Sequence, residues 1–229
     1  MWTRAELKTN AKAVLNQNYW KSVLTAFILM LLAGVSGNIS FSGNRESAKE
    51  VMTQISPQLI MALLGFAMIG IIIGIAVNIF LRNPLSIGCY RFFIRCRSGQ
   101  ADIGDITASF QAARKYINVV KIEFLRKLFI GLWSLLLVIP GIVKSYEYAM
   151  IPYLLAEYPE MSREDAFAAS REMMDGNKWK AFVLDLSFIG WELLGVCTCG
   201  ILLVFYVEPY RELTLAELYH TLKAEKNIQ

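Results

Sequence analysis

The sequence predicts an all-α protein: a polytopic bundle of transmembrane helices with amphipathic helices at the interface. Three observations predict it. Of 229 residues, 55% are hydrophobic and only 18% are charged, whereas globular chains carry about 25% charged residues. The mean hydropathy is +0.43. Long apolar runs recur, the cleanest being PQLIMALLGFAMIGIIIGIAVNIFL from Pro57 to Leu81; roughly 20 such residues cross about 30 Å of hydrocarbon. Basic residues are unevenly placed. Nine stand between Arg82 and Lys127 (Arg82, Arg91, Arg95, Arg97, Arg114, Lys115, Lys121, Arg126 and Lys127), while the linker 40–56 has only Arg45 and Lys49. That bias puts 82–127 in the cytoplasm, 40–56 outside and the N-terminus inside.

Residues 1–18 read as an interfacial amphipathic helix. Thr3 and Glu6 have capping-box spacing, and Leu7, Ala11, Val14 and Leu15 share a face. Arg4, Lys8 and Lys12 recur on another face, where they suit anionic headgroups or simply solvent. Tyr19 and Trp20 mark the interface. The first apolar run, 20–39, has no A-x-A cleavage site after it and reads as an uncleaved signal-anchor.

The second span is 58–81. Gly70 and Gly74 form a G-x-x-x-G pair with Asn78 one turn on, a face suited to close helix packing. Pro84 ends or kinks this helix. Further spans are expected near 119–139, 142–158, 179–196 and 201–213. Pro140-Gly141 is the expected turn between the third and fourth. The connector after them holds Arg163, Arg171, Lys178 and Lys180, so both flanks of 132–159 lie inside and that stretch must turn back. Ser162 caps a helix with Ala166, Phe167, Ser170, Met173 and Met174 on its apolar face, and Gly176 ends it. Cys197–Gly200 makes a second turn. The result is six spans in three hairpins, both termini cytoplasmic; four spans plus a re-entrant hairpin is the alternative.

Charges in hydrocarbon cost about 2.5–3.5 kcal/mol each on insertion scales, so they face partners or water. Lys144, Glu147, Asp185 and Glu192 are the candidates for an ion-pair lock or a polar cavity. Lys144 and Glu147, three apart, suit a pair on one helix face; Asp185 offers Lys144 a partner across hairpins. No nucleophile elbow, H-E-x-x-H or phosphate-binding glycine loop accompanies them, so no catalytic residue is assigned. Four cysteines without C-x-x-C spacing and a single histidine give no metal site, and no cofactor is expected. The basic balance, net +4, lacks any aromatic-basic platform and reads as loop charge rather than nucleic-acid binding.

Several strings resemble a bacterial integral-membrane family known as domain of unknown function 975. They are N-P-L at 83–85, L-W-x-L-L-x-x-I-P-G-I-V-K-S-Y at 132–146 and P-Y-x-L-A-E-x-P at 152–159. S-R-E-M-M-x-G-x-K-W-K-x-F at 170–182, L-D-L-S-F-I-G-W at 184–191 and V-x-P-Y at 207–210 continue it. A weaker likeness is to the membrane domains of bacterial glycerophosphodiesterases. Asn177 stands where the pattern has histidine, and Cys197 and Cys199 where it has longer apolar residues. The resemblance implies a multi-pass protein of the bacterial cytoplasmic membrane and implies no activity.

The favoured role is a non-enzymatic structural, assembly or envelope-homeostasis component. Its partners are membrane lipids and either another membrane protein or a second copy. A small transporter or lipid-handling protein, with a cavity built from the four charges, is the alternative; an intramembrane enzyme is the weakest reading. The topology has a direct test. A membrane-impermeant thiol reagent applied from outside should label a cysteine placed at Ser47 and spare one at Gln100 or Asp165. External labelling at Asp165 would remove the turn-back of 132–159.

Overall fold

The computed structural model describes residues 2–34, 57–110 and 113–228. Among these the chain is all helical, without a strand. Helices α1 (Arg4–Gln17), α2 (Tyr19–Gly34), α3 (Pro57–Val77) and α4 (Asn83–Cys96) come first. After a 3₁₀ segment, Ile103–Phe110, come α5 (Ala113–Leu136), α6 (Val138–Glu147), α7 (Ile151–Glu157) and α8 (Arg163–Met174). Helices α9 (Lys178–Leu186), α10 (Ile189–Cys197) and α11 (Glu208–Lys226) complete the chain.

The core gathers around α4 and α7. Helix α7 is buried from Ile151 to Ala156, and α4 buries Ile87, Cys89, Phe92, Phe93 and Cys96. Helix α11 closes over them with Leu213, Leu218, Tyr219 and Leu222. The ring of Tyr153 stacks on Tyr219 at 5.6 Å. Helix α1 lies on α11, starting where the Thr3 hydroxyl accepts the Glu6 N–H at 3.3 Å. Its apolar face, Leu7, Ala11 and Leu15, is buried in this core. Protein therefore covers that face, while Arg4 and Lys12 on the charged face stay exposed.

Outside the core the pattern inverts. From Met61 to Leu81 every large apolar side chain except the half-buried Ile79 is exposed, Met61 at 74% and Phe66 at 73%. Helix α2 buries Ser22, Val23, Thr25 and Ala26 and exposes Leu24, Phe27 and Leu31. Water would penalise these surfaces by roughly 25 cal/mol per Å² of apolar area. The rod Met61–Cys96 is the one described helix long and apolar enough to cross a membrane. Its bare part, 61–81, is about 31 Å long at 1.5 Å per residue.

Two prolines mark where bare helix enters the core. Pro84 has no N–H for the Phe80 carbonyl. The preceding turn, Asn78–Arg82, widens to π geometry, and the Tyr116 hydroxyl donates to the Phe80 carbonyl at 2.5 Å. Pro209 repeats the device. Leu203–Val207 is a π turn, and the Tyr19 hydroxyl donates to the carbonyl of Phe205, four residues before Pro209, at 3.0 Å.

The six expected spans are not realised as six long helices. The 119–139 stretch is interrupted at Leu137, 142–158 at Tyr148–Met150 and 179–196 at Ser187–Phe188. The 201–213 stretch passes through a π turn into buried α11. The end of 20–39 and the 40–56 linker lie outside the described residues. The first reversal hinges at Leu137, which is extended at φ −157°, ψ 137°, and not at Pro140-Gly141. Pro140 falls in the first turn of α6, where a helix has no use for its N–H. Gly141 is the point of closest approach: a Cβ there would sit 2.7 Å from the Ser134 Cα. The second reversal falls where expected, with Cys199 at φ 52° and Gly200 at φ 85°.

Gly88 sets the packing of the 3₁₀ segment on α4, since a Cβ there would lie 1.8 Å from the Ile106 carbonyl oxygen. Gly88→Ala should cost about 3 kcal/mol or more by overpacking, read as a lowered unfolding midpoint in detergent. Gly70→Ala, where an added Cβ would meet no other helix or side chain within 4 Å, should leave the midpoint unchanged or add about 0.5–1 kcal/mol of stability through helix propensity.

Candidate functional site

The charges expected at the base of the first hairpin do assemble there. Lys144 sits one helical turn before Glu147 on α6, and its ammonium donates to the Glu147 carboxylate at 2.7 Å. Two more cations reach the same carboxylate. Lys178, at the start of α9, donates at 2.9 Å, and Arg171, near the end of α8, lies at 3.3 Å. Glu147 is only 7% exposed. The helix that carries it is tied down as well, because the buried Ser170 hydroxyl donates to the Glu147 carbonyl at 2.8 Å. Lys144 also lies 5.7 Å from the Trp133 ring and 5.6 Å from the Tyr148 ring, a geometry that holds a desolvated cation.

Asp185 does not meet Lys144. It accepts from the Tyr146 hydroxyl at 2.9 Å and from Arg211 at 3.4 Å. Arg211 feels the charges of Glu212, Asp185, Glu208 and Glu192. Glu192 is half-buried and forms no ion pair among the described residues. The expected set thus becomes a band of paired charges joining α6, α8, α9 and α11, with Glu192 at its edge. Each carboxylate with a cation is satisfied by protein, as a lock between helices requires.

The core holds a second ionic site that hydropathy alone did not single out. Glu123 is buried on α5 and takes a bidentate contact from Arg126, at 2.9–3.2 Å. Lys127 donates to the Asn83 amide oxygen at 2.5 Å. Glu212 is 8% exposed, and its Oε2 has no hydrogen-bond partner among the described residues. The i, i+3 spacing of Glu123 and Arg126 is the signal in the sequence; counting Arg126 as loop charge hides it. Arg91 and Arg95 likewise grip Asp105, at 3.4 and 2.6 Å, and Arg97 pairs with Glu217 at 3.3 Å.

Arg4 and Lys12 are exposed on α1, whereas Lys8 is half-buried. Asn177, at the position where histidine is expected, accepts the Trp2 indole N–H at 3.2 Å and donates to the Met173 carbonyl at 3.2 Å. It fastens the N-terminus to the end of α8. Cys89 and Cys96 are buried, which pushes both thiols up to about 12 and keeps them protonated and unreactive near neutral pH. Among the described residues no group of three or more His, Cys, Asp and Glu side chains is placed to hold a metal ion.

These features define a helical protein with a charge-locked core and an uncovered apolar rod. Residues 134–226 match the family described as "Protein of unknown function (DUF975)", the family that the motif strings resemble. The match contains the whole Glu147–Asp185–Arg211 band and leaves α1 to α4 outside it. No curated protein and no solved structure matches the chain.

Glu147→Gln should leave three cations facing a neutral amide and lower stability by about 2–3 kcal/mol, the scale of charge-assisted hydrogen bonds at a buried acceptor. Lys178→Gln, with Lys144 and Arg171 still in place, should cost less. Unfolding midpoints of the two variants check the order.

Proposed function

We propose that the chain is a non-enzymatic integral protein of the cytoplasmic membrane, a scaffold or assembly component with both termini inside. One observation carries this reading: among the described residues an apolar rod of membrane length, 61–81, has no buried side chain. The basic residues on its 82–127 side favour a cytoplasmic core. With the N-terminus inside as well, α2 is the opposite crossing.

The two later reversals are half-depth hairpins. The tip Leu135–Ile139 is strongly exposed, Leu135 at 86% and Ile139 at 77%. From Lys127 to Leu137 is about 15 Å along a helix axis, half of the roughly 30 Å of hydrocarbon. From Gly200 to Glu208 is about 12 Å. Two crossings and two re-entrant hairpins replace six crossings. A non-helical hinge such as Leu137 at that depth is tolerable where it is covered or near water, so both tips suit a contact with a membrane protein or a second copy.

The paired charges favour the structural role over a transport cavity. Glu147 and Asp185 already hold their protein partners, and a substrate would have to displace them.

Two measurements test the reading. The chain should stay in the membrane pellet after an alkaline carbonate wash; release into the supernatant would refute it. An impermeant maleimide should label no native cysteine from outside, because the tip cysteines Cys197 and Cys199 stop within the bilayer. External labelling of Cys199 would show that the second hairpin crosses completely.

A further inference from the structure

A groove of about 650 Å³ opens between the start of α1 and α9, lined among others by Trp2, Arg4, Lys8, Trp179, Lys180 and Ser187. Three of its lining side chains are cations, and none is an acid. Among the described residues none of the three takes part in an ion pair, whereas the cations around Glu147 and Asp105 are all paired. Lys8 is drawn over the Phe188 ring at 4.2 Å and donates to the Ser187 carbonyl at 3.5 Å. Burial and the neighbouring Arg4 charge lower its affinity for its proton. Lys180 lies 5.8 Å from the Trp2 ring. That ring is a fixed wall, since Trp2 is buried and its N–H is held by Asn177. An unpaired cluster of like charges in a concave, aromatic-walled space is arranged to receive an anion.

The place of the groove indicates what bears the anion. Ser187, at one end, is followed at once by Phe188 and by α10, whose Leu193, Leu194 and Val196 are exposed. Trp179 stands 72% exposed at the rim, as an interfacial tryptophan does. Charged groove and bare apolar arm are thus consecutive on one stretch of chain. A soluble anion would use only the first.

We propose that this groove binds the phosphate of an anionic phospholipid, with Arg4, Lys8 and Lys180 on the headgroup and the acyl chains along Ile189–Cys197. Arg4 supplies the planar fork suited to two phosphate oxygens; the lysines act as point charges. The groove is separate from the Glu147 band, and its occupant would brace the N-terminal helix against the second hairpin at headgroup level. The assignment rests on the membrane reading above.

The test uses the delipidated full-length chain in a neutral detergent. Short-chain phosphatidylglycerol, short-chain phosphatidylcholine and inorganic phosphate are titrated separately, with binding read by calorimetry. Phosphatidylglycerol should bind at least about tenfold more tightly than phosphatidylcholine. The double variant Arg4→Gln/Lys180→Gln should lose about tenfold in phosphatidylglycerol affinity. The charge-keeping Arg4→Lys/Lys180→Arg should retain most of it, and Lys121→Gln, an exposed cation elsewhere, should retain all. Equal affinity for the two lipids, or wild-type affinity in the glutamine double variant, would overturn the site. Inorganic phosphate binding as tightly as phosphatidylglycerol would overturn its assignment to lipid. A chain that resists alkaline extraction yet shows no lipid preference loses this site alone; a chain released by alkali loses the membrane reading itself.

Discussion

Helix α4 is gripped on all sides, and the rod of which it is part is not. Phe92, Phe93, Cys89 and Cys96 are buried against α7, α11 and the 3₁₀ segment. The same rod continues through one π turn into 61–81, where among the described residues no side chain is buried. A buried root fixes the direction of the bare part, because a helix transmits its axis through each turn. Whatever covers 61–81 is therefore presented with a rigid apolar surface. Under the proposed reading the bilayer covers it, and the core is held at a set depth by the length of that rod.

The proline–tyrosine arrangements are the joints of this design. At Pro84 and Pro209 the missing N–H frees a carbonyl, and a tyrosine from another helix satisfies it. An unsatisfied carbonyl at a nonpolar boundary costs about 1–3 kcal/mol, so each joint binds two helices where bare surface meets core. Tyr19 ties α2 to the return arm of the second hairpin; Tyr116 ties α5 to the rod. The charge bands act one layer further in. Glu147 draws α6, α8 and α9 together, and Asp185 adds α11 through Arg211. Such networks add specificity more surely than stability, because each ion was first desolvated.

Much of the helical pattern was legible. The cap at Ser162, the buried face from Ala166 to Met174 and the stop at Gly176 follow from local rules, and the structure has all of them. The Lys144–Glu147 pair follows from i, i+3 spacing alone. The hinge at Leu137 was not legible, because proline is the stronger local signal and a first-turn proline is indistinguishable in sequence from a turn proline. The partners of Asp185 were not legible either: Tyr146 and Arg211 lie 39 and 26 residues away along the chain.

By itself the sequence determined that this chain is helical, that its apolar content exceeds what a small core can bury, and where individual helices start. Composition and short-range periodicity carry that information, since both act within a turn or two. Tertiary structure decided which apolar faces are spent inside. The apolar face of α1 is buried, and so is α7 from Ile151 to Ala156, while the strongly apolar 61–81 stays exposed. Hydropathy cannot separate a core helix from an uncovered one, because burial depends on partners far along the chain. For the same reason only the fold could set three paired cations around Glu147 and leave three unpaired around the groove at Trp2.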